Sequence, residues 1–146
     1  MSETVHVVCT ECNTTNRIPA LNDDKEMNCG RCHRPLFGAA PRSLDETGLQ
    51  AQITQSEIPV IVDFWAPWCG PCKAMTPAFE QASLMLGSKA RLVKVNTEEQ
   101  QALGGQYSIR SIPTVAIFKG GRELARRTGA VSATDLLSWV NSVACF

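Results

Sequence analysis

Cys69 and Cys72 form a C-x-x-C pair at the point where an apolar segment gives way to a predicted helix. At the start of a helix, unpaired backbone N–H groups and the positive end of the helix dipole favour a thiolate over a thiol. A thiolate is the nucleophile of thiol–disulfide exchange, and a second thiol three residues on can resolve a mixed disulfide. The pair therefore predicts a redox-active disulfide in which Cys69 attacks and Cys72 resolves. The alternative interpretation is that these two cysteines are half of a metal site.

Four more cysteines lie in the first forty residues as two pairs, Cys9 with Cys12 and Cys29 with Cys32, with sixteen residues between the pairs. This spacing is typical of zinc sites, because two turns can each place two thiolates about 2.3 Å from one tetrahedral Zn²⁺. We expect one zinc ion bound by these four thiolates. His33 is an alternative ligand, although four thiolates already complete the shell. A reversible disulfide switch and iron–sulfur ligation remain open for the same cysteines.

Length and composition limit the class of protein. The 146 residues leave room for one ordinary domain plus a small module, and 44% hydrophobic with 19% charged residues indicates a folded globule. Fourteen basic and fourteen acidic side chains cancel, which gives no support to nucleic-acid or anionic-membrane binding. We find no signal peptide or candidate membrane span and expect a cytoplasmic protein, which we take to be monomeric. In a reducing compartment the seven cysteines favour metal binding and redox catalysis, and Cys145 is left as an apolar filler or terminal thiol.

The elements that position the central dithiol follow from the apolar pattern. Val60–Trp65 is an apolar run typical of a strand covered on both faces, and Arg91–Asn96 is a second such strand. The helix after the dithiol is predicted over 70–86, with a kink at Pro77. Further elements are a helix over 44–55, a short helix over 98–104 ended by Gly104 and Gly105, a hairpin of 114–118 and 123–128 that turns at Gly120 and Gly121, and a last helix capped by Ser132. This order predicts an α/β fold with a central mixed sheet and helices on both faces.

Residues 1–37 form the predicted zinc module. The segment has no long helical period and cannot bury much apolar surface, so it needs a metal, disulfides or a partner to stay folded, and the four cysteines can supply that need. Asn13 and His33, each directly after a cysteine pair, belong to residue types enriched at positive φ, which suits the two turns. Residues 38–42 are mostly small and include Gly and Pro, which indicates a linker to a domain over 43–146.

The segment Val60–Lys73 (VIVDFWAPWCGPCK) resembles the active-site strand and turn of the thioredoxin family. Further matching segments follow in the order expected for that family, at 94–96, 107–114, 118–121 and 128–130. The resemblance covers roughly residues 43–146, and the paired-cysteine extension is similar to that of bacterial members with an N-terminal zinc-binding module. It implies a thioredoxin fold preceded by a small zinc-ribbon-like module.

An acidic residue, Asp63, interrupts the apolar strand, and burial is costly for a carboxylate that has no partner or task. The resemblance implies that Asp63 lies beneath the dithiol and moves protons to and from Cys72, with Lys94 as the partner of the acid. Desolvation should raise the pKa of Asp63 towards a range useful for acid–base catalysis. The alternative is that Asp63 is only a structural polar anchor.

The same resemblance identifies Ile112 and Pro113 as a loop with a cis proline that faces the dithiol; an ordinary trans turn is the alternative. The backbone beside this loop would pair with an extended substrate segment as a neighbouring strand does. A flat apolar docking surface is expected around the Cys69 sulfur, formed by Trp68, Gly70, Pro71, Ile112, Gly129 and Ala130. Trp65, Tyr107 and Phe118 are expected in the core.

The function that these features imply is cytoplasmic protein-disulfide reduction. The resemblance implies disulfide-containing protein substrates and an NADPH-dependent, flavin-containing thioredoxin reductase that recharges the dithiol. No organic cofactor is expected to be bound. The alternative function is a redox-regulated zinc-binding adaptor or holdase in which the thioredoxin domain serves for docking. A secreted oxidase or isomerase is disfavoured because no signal peptide is found.

Overall fold

Two β-sheets and four α-helices organise residues 4–19 and 27–144, which are the residues that the computed structural model describes. A small antiparallel sheet is followed by a five-stranded sheet of order β3-β5-β4-β6-β7. The strands are β1 (Thr4–Val8), β2 (Thr15–Pro19), β3 (Arg42–Ser43), β4 (Val60–Trp65), β5 (Arg91–Asn96), β6 (Thr114–Lys119) and β7 (Arg122–Thr128). The α-helices are α1 (Glu46–Gln55), α2 (Gly70–Leu86), α3 (Gln101–Gln106) and α4 (Ala133–Ala144), and a 3-10 turn covers Gly87–Lys89.

The five-stranded sheet is mixed and has β4 at its centre. β4 pairs in parallel with β5 and antiparallel with β6, and β6 pairs antiparallel with β7. One face packs on α2 and α4, through residues such as Ile61, Phe79 and Leu136. The opposite face packs on α1 and α3, through residues such as Phe64 and Leu103. β4 is therefore covered on both sides, which explains its continuous apolar run, and the predicted α/β fold with helices on both faces is confirmed.

Several predicted elements agree with the structure. The bounds of β4, β5 and α2 are as expected, and α2 continues through Pro77; the kink stays a prediction. Gly120 and Gly121 turn the β6–β7 hairpin at φ values of +63° and +81°, where a side chain would be strained. The Ser132 hydroxyl accepts a hydrogen bond from the Asp135 N–H at 3.1 Å, so Ser132 caps α4 as predicted.

The predicted short helix is present, but its predicted bounds were wrong. α3 runs over Gln101–Gln106, and the two glycines that should end it lie inside it. The Asn96 Oδ1 accepts hydrogen bonds from the N–H groups of Glu98 and Glu99, so the chain first makes a side-chain-stabilised turn. The reversal after α3 comes at Ser108, which has a φ of +53°.

The first helix also begins later than expected, at Glu46 in place of residue 44. Asp45 has an extended backbone, and its Oδ1 accepts a hydrogen bond from the Gly48 N–H at 2.8 Å. It is therefore the N-cap and not part of the helix. At the other end of the chain, Leu136 and Val140 are buried, whereas Leu137 and Val143 are only partly buried against the same core.

Three further findings concern the boundaries of the chain's parts. Arg42, the last residue of the expected linker, belongs to β3 and pairs with Val93 of β5. Cys145 lies outside the described residues. Among residues 4–19 and 27–144, no helix has the length and apolarity needed to cross a membrane.

Candidate functional site

The dithiol lies at the carboxyl end of β4, where the chain turns into α2. Cys69 is the N-cap of α2, and its Sγ accepts a hydrogen bond from the Cys72 N–H at 3.2 Å. The two cysteines are joined by a disulfide, with their Cα atoms 5.3 Å apart. Pro71 lies in the first turn of α2, where its missing N–H is not needed. In the reduced protein, the Cys72 N–H and the helix dipole would stabilise a thiolate on Cys69.

Asp63 is buried in β4, two residues before the end of the strand, without a hydrogen-bond partner for either carboxylate oxygen among the described residues. Side chains alternate along a strand, so Asp63 faces the same side of the sheet as Ile61, which packs against α2. Burial raises the pKa of Asp63 to about 7, and the charge of Lys94 opposes this shift. The two residues are direct neighbours across β4 and β5, and the Lys94 Nζ lies 4.4 Å from the centre of the Trp65 ring.

The raised pKa of Asp63 predicts a pH-dependent gain in stability for Asp63→Asn. Between about pH 4 and pH 7 the native protein keeps a proton here that the unfolded chain has lost, so wild-type stability falls as the pH rises through this window. Above pH 7 the burial of the ionised Asp63 lowers the free energy of unfolding by its full amount, on the order of 4 kcal/mol. We expect the oxidised variant to be more stable than the wild type at pH 8 and equally stable at pH 4, as measured by guanidinium unfolding. An equal gain at both pH values would contradict the desolvation argument.

The loop before β6 closes the other side of the dithiol. The Ile112–Pro113 peptide bond is cis, which excludes the ordinary trans turn. The Ile112 carbonyl oxygen lies 3.8 Å from the Cys69 Sγ, and Ile112 packs in one cluster with the two cysteines. The Gly129 N–H donates to the Pro113 carbonyl at 2.9 Å, which holds the end of β7 beside this loop.

The structure thus brings most of the predicted docking residues to the dithiol. Trp68 is 70% exposed directly before Cys69, and Gly70, Pro71, Gly129 and Ala130 are also exposed. Gly129 has a φ of +91°, so a side chain there would be strained. Trp65 is only half-buried beside the dithiol, and Tyr107 is half-buried against the rings of Phe64 and Phe118. The result is an exposed, largely apolar surface around a sulfur atom that is itself almost covered.

The four N-terminal cysteines form a second cluster, in which the four Sγ atoms lie within 4.8 Å of one another. The Sγ atoms of Cys9 and Cys32 are 3.6 Å apart, as are those of Cys12 and Cys29. Four convergent thiols with no acidic residue among them are the donor set expected for zinc. His33 is exposed and does not belong to the cluster.

Each cysteine pair lies on a tight turn that aims backbone N–H groups at sulfur. The Asn13 N–H donates to the Cys9 carbonyl and the His33 N–H to the Cys29 carbonyl, and both residues have φ values near +64°, as expected. The Glu11 N–H lies 3.4 Å from the Cys9 Sγ, and the Arg31 N–H lies 3.4 Å from the Cys29 Sγ. Such N–H contacts stabilise thiolates in the orientation that a metal requires.

Asn16 is a residue of this cluster that sequence reasoning missed. Its Nδ2 lies 3.5 Å from the Cys29 Sγ, and its Oδ1 accepts a hydrogen bond from the Gly30 N–H at 2.9 Å. Asn16 therefore connects β2, which follows the turn of Cys9 and Cys12, to the turn of Cys29 and Cys32. An asparagine inside a strand is unusual, and this was the signal available in the sequence.

The comparison with known proteins agrees with the fold. The family model described as "Thioredoxin" matches residues 41–142. Thioredoxin C-3 from Corynebacterium nephridii is 36% identical over 135 residues, which cover 92% of both chains. Thioredoxin 1 from a Nostoc species is 46% identical over 100 residues, 68% of this chain and 92% of the relative. The solved thioredoxin of Malassezia sympodialis superposes with a TM-score of 0.66 at 30% identity, over 73% of this chain and 92% of that one.

The matched region contains the dithiol, the buried acid and the cis-proline loop in one arrangement. Thioredoxins are thiol–disulfide oxidoreductases, and the matched region of this chain contains the disulfide between Cys69 and Cys72. On these grounds the chain belongs to the thioredoxin family of thiol–disulfide oxidoreductases.

Proposed function

We propose that this thioredoxin is a protein-disulfide reductase of the thioredoxin 2 type, in which Cys69 is the nucleophile and Cys72 the resolving thiol. The observation that carries the proposal is the position of Cys69 as N-cap of α2, next to the cis-proline loop and the exposed Trp68. Acceleration of dithiothreitol-driven insulin reduction by the protein is the direct test. A wild-type protein that gives no acceleration would refute the proposal.

The reaction is a two-electron exchange in two steps. The Cys69 thiolate attacks one sulfur of a substrate disulfide, which forms a mixed disulfide and releases the first substrate thiolate. The Cys72 thiol then loses its proton to the Asp63 carboxylate and attacks the Cys69 Sγ. This step forms the Cys69–Cys72 disulfide and releases the second substrate thiolate, so the substrate is reduced and the dithiol oxidised. We propose that an NADPH-dependent thioredoxin reductase returns two electrons to the protein.

Substrate recognition by this site would depend on shape and not on sequence. The exposed surface defined by Trp68, Gly70, Pro71, Gly129 and Ala130 is largely apolar and offers few side-chain hydrogen bonds. The backbone at Ile112 lies beside the Cys69 sulfur and can pair with an extended segment. Disulfides in extended or unfolded protein segments are therefore the proposed substrates. Reduction of such disulfides fits a cytoplasmic location, where thiols are kept reduced.

The N-terminal cluster would hold one structural Zn²⁺ through Cys9, Cys12, Cys29 and Cys32. Two observations support this assignment: the four sulfurs converge, and backbone N–H groups point at two of them. Thioredoxin C-3 aligns with more residues than the thioredoxin domain contains, so the alignment extends into the N-terminal module. Zinc would supply cross-linking of two turns that have little apolar core of their own. Metal analysis of the purified full-length protein should give one zinc per chain and no iron.

The proposed role of Asp63 predicts the pH dependence of insulin reduction. The wild-type rate should change with an apparent pKa near 7, the pKa of the buried Asp63. Asp63→Asn should lose this inflection and slow the reaction about 10²-fold at pH 7, because Cys72 then lacks its proton acceptor. Lys94→Met is a matched variant that should move the inflection to higher pH, since the charge of Lys94 lowers the pKa of Asp63. Identical pH profiles for the three proteins would leave Asp63 only a structural role.

A further inference from the structure

Arg91 extends from the catalytic domain into the four-cysteine module. It is the first residue of β5, yet its side chain is only 6% exposed. The Arg91 Nη2 donates a hydrogen bond to the Val8 carbonyl at 3.1 Å, and Nη1 donates to the Leu36 carbonyl. The guanidinium carbon lies 4.4 Å from the centre of the Phe37 ring. A buried charged group of this kind is costly unless its contacts are specific and satisfied.

The two carbonyl groups belong to the segments that carry the cysteines. Val8 directly precedes Cys9. Leu36 follows the second turn, and its N–H donates to the Met27 carbonyl at 2.7 Å, so it closes the loop that contains Cys29 and Cys32. One planar guanidinium therefore connects β1, which precedes the first cysteine pair, with the segment that follows the second pair.

A second part of the catalytic domain, the end of α1 and the segment before β4, also contacts the module. The Gln52 Nε2, from α1, donates to the Val8 carbonyl at 3.0 Å, and the Ser56 hydroxyl accepts a hydrogen bond from the Val8 N–H at 3.2 Å. Both residues are buried. Ile58, just before β4, packs in the apolar cluster of the module together with Val7 and Ile18. The backbone around Cys9 is thus fixed by groups that lie outside the module.

The charge of Arg91 also suits a metal site of four thiolates. One Zn²⁺ and four thiolates carry a net charge of −2, which is costly to bury unless a cation lies nearby. Burial lowers the pKa of Arg91 to about 10, and the negative charge of Cys9 opposes this shift. Arg91 therefore stays protonated at neutral pH, which places a cation on the carbonyl of the residue directly before Cys9.

We propose that Arg91 is a positioning residue of the zinc site: through the Val8 and Leu36 carbonyls, the catalytic domain holds the two cysteine pairs at the separation that one ion requires. The inference rests on the proposed zinc binding. It means that the four-cysteine site is a product of both parts of the chain and not of the module alone. Groups that orient metal ligands without touching the metal commonly contribute ten- to hundredfold to affinity.

The test measures zinc retention in the full-length protein. Wild type, Arg91→Met and Arg91→Lys are loaded with Zn²⁺, and both the release rate and the affinity are measured with a chromogenic chelator. We expect about ten- to hundredfold weaker binding for Arg91→Met, which keeps an unbranched apolar stem but has no donor and no charge. Arg91→Lys keeps the charge but can reach only one carbonyl, so about tenfold weaker binding is expected.

Arg122→Met is the matched control, because Arg122 is an exposed arginine at the start of β7, at the opposite edge of the sheet. It should bind zinc as the wild type does. A cooperative thermal transition shows that each variant is folded. If Arg91→Met does not fold, the zinc affinity of Arg91→Lys relative to the wild type is the deciding measurement. Affinities of the folded Arg91 variants within twofold of the wild type would overturn the role of Arg91. A wild-type protein that takes up no zinc would instead refute the metal assignment itself.

Discussion

Cys69→Ser should abolish the acceleration of insulin reduction, with a loss on the order of 10³-fold or more. A serine hydroxyl is not ionised near neutral pH and cannot form the mixed disulfide, so no other group of the site can replace it. In this structure Cys69 is the sulfur that lies beside the cis-proline loop and receives the Cys72 N–H. The measurement is the rate of insulin precipitation with dithiothreitol as electron donor.

Cys72→Ser is the matched variant, since it removes the second sulfur of the same disulfide and leaves the nucleophile. We expect the reduced variant to accumulate a stable mixed disulfide with a disulfide-containing substrate protein, because Cys69 attacks the substrate disulfide and no second thiol releases the product; Cys69→Ser cannot form this species. The trapped complex is visible as a band of higher mass on gels run without thiol, and this band disappears when dithiothreitol is added. If the wild type gave no acceleration of insulin reduction, and both it and Cys69→Ser protected client proteins from aggregation after oxidation and zinc release, the adaptor or holdase alternative would replace catalysis.

The catalytic part of the fold was predictable because its signals are local. The apolar run of β4, the C-x-x-C pair and the glycines of the β6–β7 hairpin each specify one conformation within a few residues. The C-x-x-C pair predicted the disulfide, and the family resemblance predicted the cis bond before Pro113. In each case the local pattern and the tertiary environment favour the same structure.

Features that depend on distant parts of the chain were not predictable. The turn that delays α3 is made by the side chain of Asn96, which closes a strand and could equally have faced solvent. The contacts of Arg91 with Val8 and Leu36 join residues more than fifty positions apart. A charge at the start of a buried strand was visible in the sequence, but its partners were not. Such side chains acquire their role only when two separately predicted parts come together.

Removal of zinc should unfold the N-terminal module and leave the five-stranded sheet intact. In the described core cluster of the module, only five buried residues belong to the module itself, the sixth being Ile58 of the thioredoxin domain, and two of the five are proposed zinc ligands. The metal is therefore expected to supply most of the stability, since structural zinc binding contributes about 10–16 kcal/mol in small modules. The thioredoxin domain has its own core on both faces of the sheet, and the Nostoc relative aligns with this domain over 92% of its own length.

Hydrogen exchange measured by mass spectrometry distinguishes the two parts. After chelation, and equally in Cys29→Ser, the amides of β1 and β2 should lose protection, whereas those of β4 and β6 should keep it. The C-terminal end of α1 and the start of β5 should lose an intermediate amount of protection, because they contact the module. Ser56 and Arg91 are buried under the module, so zinc loss should expose them and lower the unfolding temperature of the domain by linkage. Unchanged protection in β1 after complete metal removal would show that docking on Arg91 and Gln52 alone holds the module folded.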